Sequence, residues 1–209
     1  MLPDTSYPWA WHKALHEIVL GEPWEEPLVG QVLPVQLLPW LWLSDQESLE
    51  RNAAQLRRRG ITHVLSTNAM EPNEFDEFRS TLHRFGIHHH AVHGHDEEWY
   101  DMLSNHWEEC EEFLRLVKAT GGRVVIHCSA GINRSGLIAC AAIMVLERRR
   151  LLDVVRLVKQ KRYTLLMNPS FQRQLCLLAA REGLLGPPPD GFSNDPPPPR
   201  KPIDFYKYY

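Results

Sequence analysis

The sequence predicts an α/β fold: a mainly parallel central sheet with helices on both faces, and a loop of small residues between one strand and the next helix. Three observations carry this. Apolar, β-branched runs of strand length alternate with longer amphipathic segments. Glycines close the helical segments at Gly60, Gly86 and Gly121-Gly122. The run Val124-Val125-Ile126-His127 passes directly into small residues and then a helical segment, and in open parallel sheets ligands bind at such strand ends.

In order along the chain, residues 9–20 have the apolar spacing of one amphipathic helix. Residues 31–38 and 40–43 are strand-like. Residues 47–59 predict a helix, with Ser44 or Asp45 near its start and Gly60 as its stop. Residues 61–66 are an apolar, β-branched run and predict a buried strand. A helix over 73–85 follows, then a strand over 87–92. Apolar positions from Trp99 to Val117 predict a long helix over 98–120. A short buried strand spans 123–127, and helices are predicted over 135–147, 153–161 and 169–181.

The chain has 209 residues, 44% hydrophobic and 23% charged, which suits one domain with terminal segments. We expect an N-terminal extension over 1–29, a globular domain over 30–185 and a Pro-rich tail over 186–209. Eight of the 16 prolines fall between Pro187 and Pro202, so the tail is expected to be extended and disordered. The formal charge of −3 lacks the basic footprint of nucleic-acid binding. The apolar stretch 32–43 is broken by Pro34, Gln36 and Pro39 and does not predict a membrane span. The start of the chain shows no signal-peptide pattern. Four cysteines without a CxxC pair predict neither a disulfide scaffold nor a zinc site. A reducing compartment, cytoplasm or nucleus, is the expectation.

The strand end at 127 carries the chemistry. Cys128 is followed by Ser129, Ala130, Gly131, Ile132 and Asn133, then by Arg134, Ser135 and Gly136. A cysteine there sits where loop N–H groups converge with a helix N-terminus. A free thiol is only about 3% ionised at neutral pH, and such surroundings favour the thiolate. Arg134 adds a cation whose fork matches two phosphate oxygens. Together they make a phosphate-binding loop around a nucleophile, suited to attack on a phosphate ester. The departing oxygen then needs a proton. Asp96, directly after the strand at 87–92, would stand at the same sheet edge; Glu97, Glu98 and Asp101 are rivals on position.

His127-Cys128, five residues, Arg134-Ser135 resembles the signature of the cysteine-dependent protein phosphatases. The surroundings resemble their dual-specificity branch: Leu38-Pro39-Trp40-Leu41-Trp42-Leu43 its opening strand pair, Gly60-Ile61-Thr62-His63-Val64-Leu65 its next helix-to-strand junction, and Asn168-Pro169-Ser170-Phe171 with Gln174-Leu175 its closing helix. The likeness runs from Gly30 to Gly183. It implies Cys128 as the nucleophile of a phosphocysteine intermediate and Arg134 as the phosphate clamp. The amides from Ser129 to Arg134 become the cradle, and Ser135 the hydroxyl that helps the thiolate leave. His127 and Asn168 become supports of the loop. In this branch the acid lies about thirty residues before the cysteine; Asp96, at 128 − 96 = 32, fits better than Asp101, at 128 − 101 = 27.

The resemblance further implies no cofactor or metal and a phosphorylated protein as substrate, carrying phosphotyrosine or phosphoserine/phosphothreonine. The chain lacks a Trp-Pro-Asp loop and the tyrosine-recognition loop of the deep-pocket enzymes, which implies a shallow pocket. No lysine stands inside the loop, so an inositol lipid is not implied, and neither is a kinase-docking module. Two rivals remain within the superfamily. One is a phosphate-reading pseudophosphatase, which here would have kept its cysteine. The other is an RNA 5′-triphosphatase, which the net charge disfavours. A rhodanese-like sulfur carrier also uses a loop cysteine but not this Asp, Arg and Ser set.

Plainer readings stand beside these. Cys128 could be a buried structural thiol, and Asp96 a cap for the helix expected from 98. Six histidines between His83 and His95 could bind metal, but His88, His89 and His90 alternate faces on a strand. The arginine runs 57–59 and 148–150 suit helix C-termini. The prolines at 196–199 followed by Arg200 and Lys201 fit a ligand for SH3 domains, or a plain solvated tail. Cys110, Cys140 and Cys176 are expected on helices facing the core.

Overall fold

The computed structural model describes residues 7–21, 33–51, 53–69 and 71–196. Its elements run α1 (Trp9–Leu20), β1 (Val35–Leu38), β2 (Leu41–Asp45), α2 (Gln46–Arg51), α3 (Ala53–Arg58), β3 (His63–Ser66) and α4 (Pro72–Arg84). They continue as β4 (His88–Ala91), α5 (Met102–Ala119), β5 (Val124–Cys128), α6 (Arg134–Leu146), α7 (Leu151–Lys161) and α8 (Pro169–Arg181). The five strands form one sheet in the order β1-β2-β5-β3-β4. The β1–β2 pair is antiparallel; β2, β5, β3 and β4 are mutually parallel. Four parallel strands therefore end at one edge, with β5 near the middle.

Each face of the sheet is covered, as a parallel sheet requires. Val64 and Val125 pack with Leu49, Leu56, Phe78 and Leu82 from α2, α3 and α4. Their neighbours Leu65, Val124 and Ile126 point the other way, into the larger core built on α5, α6, α7 and α8. Helix α6 is buried almost all round. That burial explains why its sequence is apolar without a face and how it holds the loop before it rigidly.

The helix expected from residue 98 starts at Met102. Asp101 is its N-cap, accepting from Ser104 N at 3.0 Å and Ser104 Oγ at 2.8 Å. The predicted helix over 47–59 is described as α2 and α3; Asp45 Oδ1 accepts from Ser48 N at 2.7 Å at its start. Of the strand expected over 31–38, residues 31 and 32 lie outside the described residues, and the strand begins after Pro34.

Helix α1 is part of the main packing. Ala14, Leu15 and Val19 enter the larger core, where burying one leucine contributes about 1.5–3 kcal/mol. Buried Lys159 donates to the Val19 carbonyl at 2.6 Å, closing the end of α1 on α7. The start of the Pro-rich segment is fastened too: Asn194 Oδ1 accepts from Ala10 N at 3.1 Å, and Lys13 Nζ donates to the Ser193 and Asp195 carbonyls. Polar side chains and carbonyls beyond the prolines reach donors on α1 that the sequence could not pair with them. The proline-basic stretch lies outside the described residues apart from Pro196.

Candidate active site

Strand β5 ends at Cys128, which lies opposite Asp45 of β2. The next five carbonyls all turn outward. Ser129 O accepts from Gln46 N at 3.3 Å, Ala130 O from an Arg162 terminal N–H at 2.9 Å and Gly131 O from Arg162 Nε at 3.0 Å. Ile132 O accepts from Leu166 N at 3.2 Å and Asn133 O from Leu137 N at 2.8 Å. In a trans peptide the N–H points opposite the C=O. The amides of Ala130, Gly131, Ile132, Asn133 and Arg134 therefore face inward, and among the described residues none of them donates to a backbone carbonyl. Gly131 is required here. Its φ is +66°, and a Cβ would stand 2.6 Å from the Ser44 carbonyl oxygen.

Cys128 is 1% exposed, and its Sγ lies 3.1 Å from Ser135 Oγ in the first turn of α6. Arg134 leans across the loop. It donates to Ser129 Oγ at 3.1 Å and to the Gly94 carbonyl at 3.2 Å. Its Nε is buried without a partner among the described residues, a spare donor of the kind an anion satisfies. Asp96 reaches the same place from the loop after β4. Its two oxygens accept from Asn133 Nδ2 and Asn168 Nδ2, each at 3.1 Å. Asn168 also caps α8 through Ser170 N at 3.0 Å, and its own N–H donates to Asn133 Oδ1 at 3.1 Å. The rival Asp101 is occupied as the α5 cap, and Asp96 is not the cap of that helix.

Behind Cys128, His127 is fully buried and neutral. Burial, with His89 and Arg134 nearby, holds it down at about 3. Its carbonyl accepts from Thr67 N at 2.9 Å and Thr67 Oγ1 at 2.7 Å, pinning the strand end. Of the residues expected from the sequence, Ser135 touches the Cys128 sulfur, Arg134 crosses the loop to Ser129, Asp96 and Asn168 bond to Asn133 in that loop, and His127 precedes the cysteine on β5. The Ser129 amide is the one expected cradle member whose direction this carbonyl pattern does not set.

Several contributors escaped the sequence reading. Arg162, 5% exposed at the end of α7, grips two loop carbonyls, with Asp45 and Cys128 supporting its charge against burial. In sequence it is one more basic residue at a helix C-terminus. Gln174 ties the acid-bearing loop to α8, accepting from Leu103 N at 3.0 Å and donating to the Tyr100 carbonyl at 2.8 Å. The sequence marked it only as part of the likeness at the closing helix.

The remaining histidines do not converge. His88 stacks on His63 and His90 on Phe113 on one face, while His89 faces Phe75 and Phe78 on the other. Among the described residues no group of three His, Cys, Asp or Glu side chains could hold a metal ion. Cys110, Cys140 and Cys176 are buried, with burial raising each thiol and opposing ionisation.

The family model for the dual specificity phosphatase catalytic domain matches residues 41–181. Dual specificity protein phosphatase 26 of Bos taurus is 35% identical over 147 residues, covering 70% of this chain and 67% of that protein. Dual specificity protein phosphatase 2 of Mus musculus is 34% identical over 152 residues, 73% of this chain and 45% of that protein. The crystal structure of human tyrosine phosphatase-like serine/threonine/tyrosine-interacting protein superposes with a TM-score of 0.58 at 23% identity, over 71% of this chain and 96% of that one.

Proposed function

The chain belongs to the dual specificity phosphatase family, which makes it a cysteine-dependent protein phosphatase, and from that premise we propose how its residues divide the reaction. The observation that carries the assignment is the ring of five outward carbonyls around Cys128. It leaves five N–H groups and the Arg134 fork for a phosphoryl dianion.

In the first step Cys128 Sγ attacks phosphorus. The S–P bond forms, the ester P–O bond breaks, and Asp96 gives its proton to the departing oxygen. The inward amides and Arg134 hold the equatorial oxygens, where charge is greatest in the transition state. Water, deprotonated by Asp96, then attacks the phosphocysteine. Phosphate leaves, and Ser135, 3.1 Å from the sulfur, donates to the returning thiolate. Asn133 and Asn168 aim Asp96, and His127 and Arg162 hold the loop in shape.

The substrate is a phosphorylated protein. Phosphotyrosine and phosphoserine/phosphothreonine esters both suit a loop that grips the phosphoryl group rather than the side chain. The four free cysteines support a reducing compartment, cytoplasm or nucleus. None of the described helices is long and apolar enough to cross a membrane. We keep the catalytic domain at 30–185, flanked by the segments 1–29 and 186–209, with the proline-basic stretch of the latter as a ligand for SH3-type partners.

Steady-state hydrolysis of an aryl phosphate by wild type and Cys128→Ser, with chelator present, tests this. Turnover by wild type and none by Cys128→Ser, which still binds vanadate, is the expected result. Equal turnover by a clean Cys128→Ser preparation would falsify the assignment.

A further inference from the structure

Three polar side chains on neighbouring strands form a chain behind the nucleophile. Ser66 Oγ stands 2.6 Å from His127 Nε2 and 2.7 Å from His89 Nε2. Ser66 and His127 are register partners across β3 and β5, and His89 comes from β4 on the same face. Phe78 of α4 packs edge-on against both imidazoles, and Phe75 lies against His89. Ser66 is fully buried and His89 half-buried. The reaction steps above use neither.

A hydroxyl has one hydrogen, so Ser66 donates to one imidazole and accepts from the other. The direction follows from the far ends. His127 Nδ1 makes no hydrogen bond among the described residues, and the Cys128 backbone favours a proton on this ring; with Nε2 turned to Ser66, we assign that proton to Nδ1. His127 Nε2 is then a lone pair that accepts from Ser66, and Ser66 accepts from His89 Nε2–H. His89 Nδ1 is then a buried lone pair without a partner among the described residues. Both rings are neutral. Burial, Arg79 and His90 hold His89 at about 4, and burial, His89 and Arg134 hold His127 lower still.

We propose that Ser66 and His89 are positioning residues for the nucleophile loop, fixing His127 as its Nδ1–H tautomer against the Cys128 carbonyl. That carbonyl belongs to the peptide whose N–H is Ser129, the amide whose direction the ring of outward carbonyls leaves open. The relay sets that peptide plane and so completes the cradle. The inference rests on the phosphatase reading of the site.

Two measurements on the full chain test it. Two-bond proton–nitrogen correlation spectra of the imidazoles at neutral pH are expected to show His127 as Nδ1–H and His89 as Nε2–H, both uncharged. The opposite tautomers, or a charged ring, overturn the proposal. In kinetics, Ser66→Ala and His89→Phe are expected to lower kcat about tenfold with KM held within about twofold, because misplacement acts on the transition state. His89→Gln, whose side-chain N–H can replace Nε2–H, is expected to recover kcat to within about threefold of wild type by the same argument. A His89→Gln enzyme as slow as His89→Phe at equal melting temperature overturns the relay, as do variants with unchanged kcat. Absent Cys128-dependent turnover in wild type defeats the phosphatase reading instead, and the spectra still decide the tautomers.

Discussion

Asp96 is held beside the Cys128–Arg134 loop by two asparagines that belong to different elements, Asn133 in the loop and Asn168 at the start of α8. Each carboxylate oxygen keeps a second lone-pair direction free, so the group can be aimed and still exchange a proton with substrate. A general acid is worth about 10²–10⁴ in rate when the leaving oxygen is basic and little when it is not. Asp96→Ala is therefore expected to slow alkyl phosphates by a factor in that range and activated aryl phosphates far less. Equal losses across a series of leaving groups would assign the proton to another residue. At this scale the sequence exposed what is contiguous. Cys128, Arg134 and Ser135 announce themselves by spacing, and Asp96 by its place after a strand. Arg162, Ser66 and His89 stayed hidden because their roles exist only once separate strands and helices meet.

Among the elements, those set by local signals were legible. The strands at 63–66 and 124–128 were plain from apolar β-branched runs, and the helix ends from Gly60 and Gly86, whose φ values are +76° and +66°. The start of α5 was misplaced by four residues. Trp99 extends the apolar spacing backward, but it is 77% exposed, and the Asp101 cap begins the helix at Met102. Periodicity reports which residues are apolar and not which are buried, so a cap overrides it. The fastening of residues 193–195 to α1 was beyond sequence reading for another reason. It joins the two ends of the described chain through single hydrogen bonds, which leave no periodic trace.

Across the whole molecule, burial lowers five imidazoles among the described residues: His63 and His106, and most strongly His12 and His89, to about 4, and His127, to about 3. The unfolded chain protonates each near the ordinary value of about 6.5. Between those values the unfolded state binds more protons, so stability is full above about 6.5 and is lost as pH falls through 4. Urea unfolding is expected to take up close to one proton per buried histidine near pH 5.5. His89→Phe is expected to flatten that pH dependence. A midpoint independent of pH from 7 down to 5 would mean that these rings are already charged or open to water.

The central claim is that Cys128 becomes covalently phosphorylated during turnover. Rapid acid quench of the full chain with an aryl phosphate, followed by peptide mass analysis, tests it most directly. The account predicts a phosphoryl group on the Cys128 peptide in wild type, more of it in Asp96→Ala with an activated substrate, and none in Cys128→Ser. Turnover with no phosphoryl group on Cys128 at any quench time, in wild type or in Asp96→Ala, would contradict it.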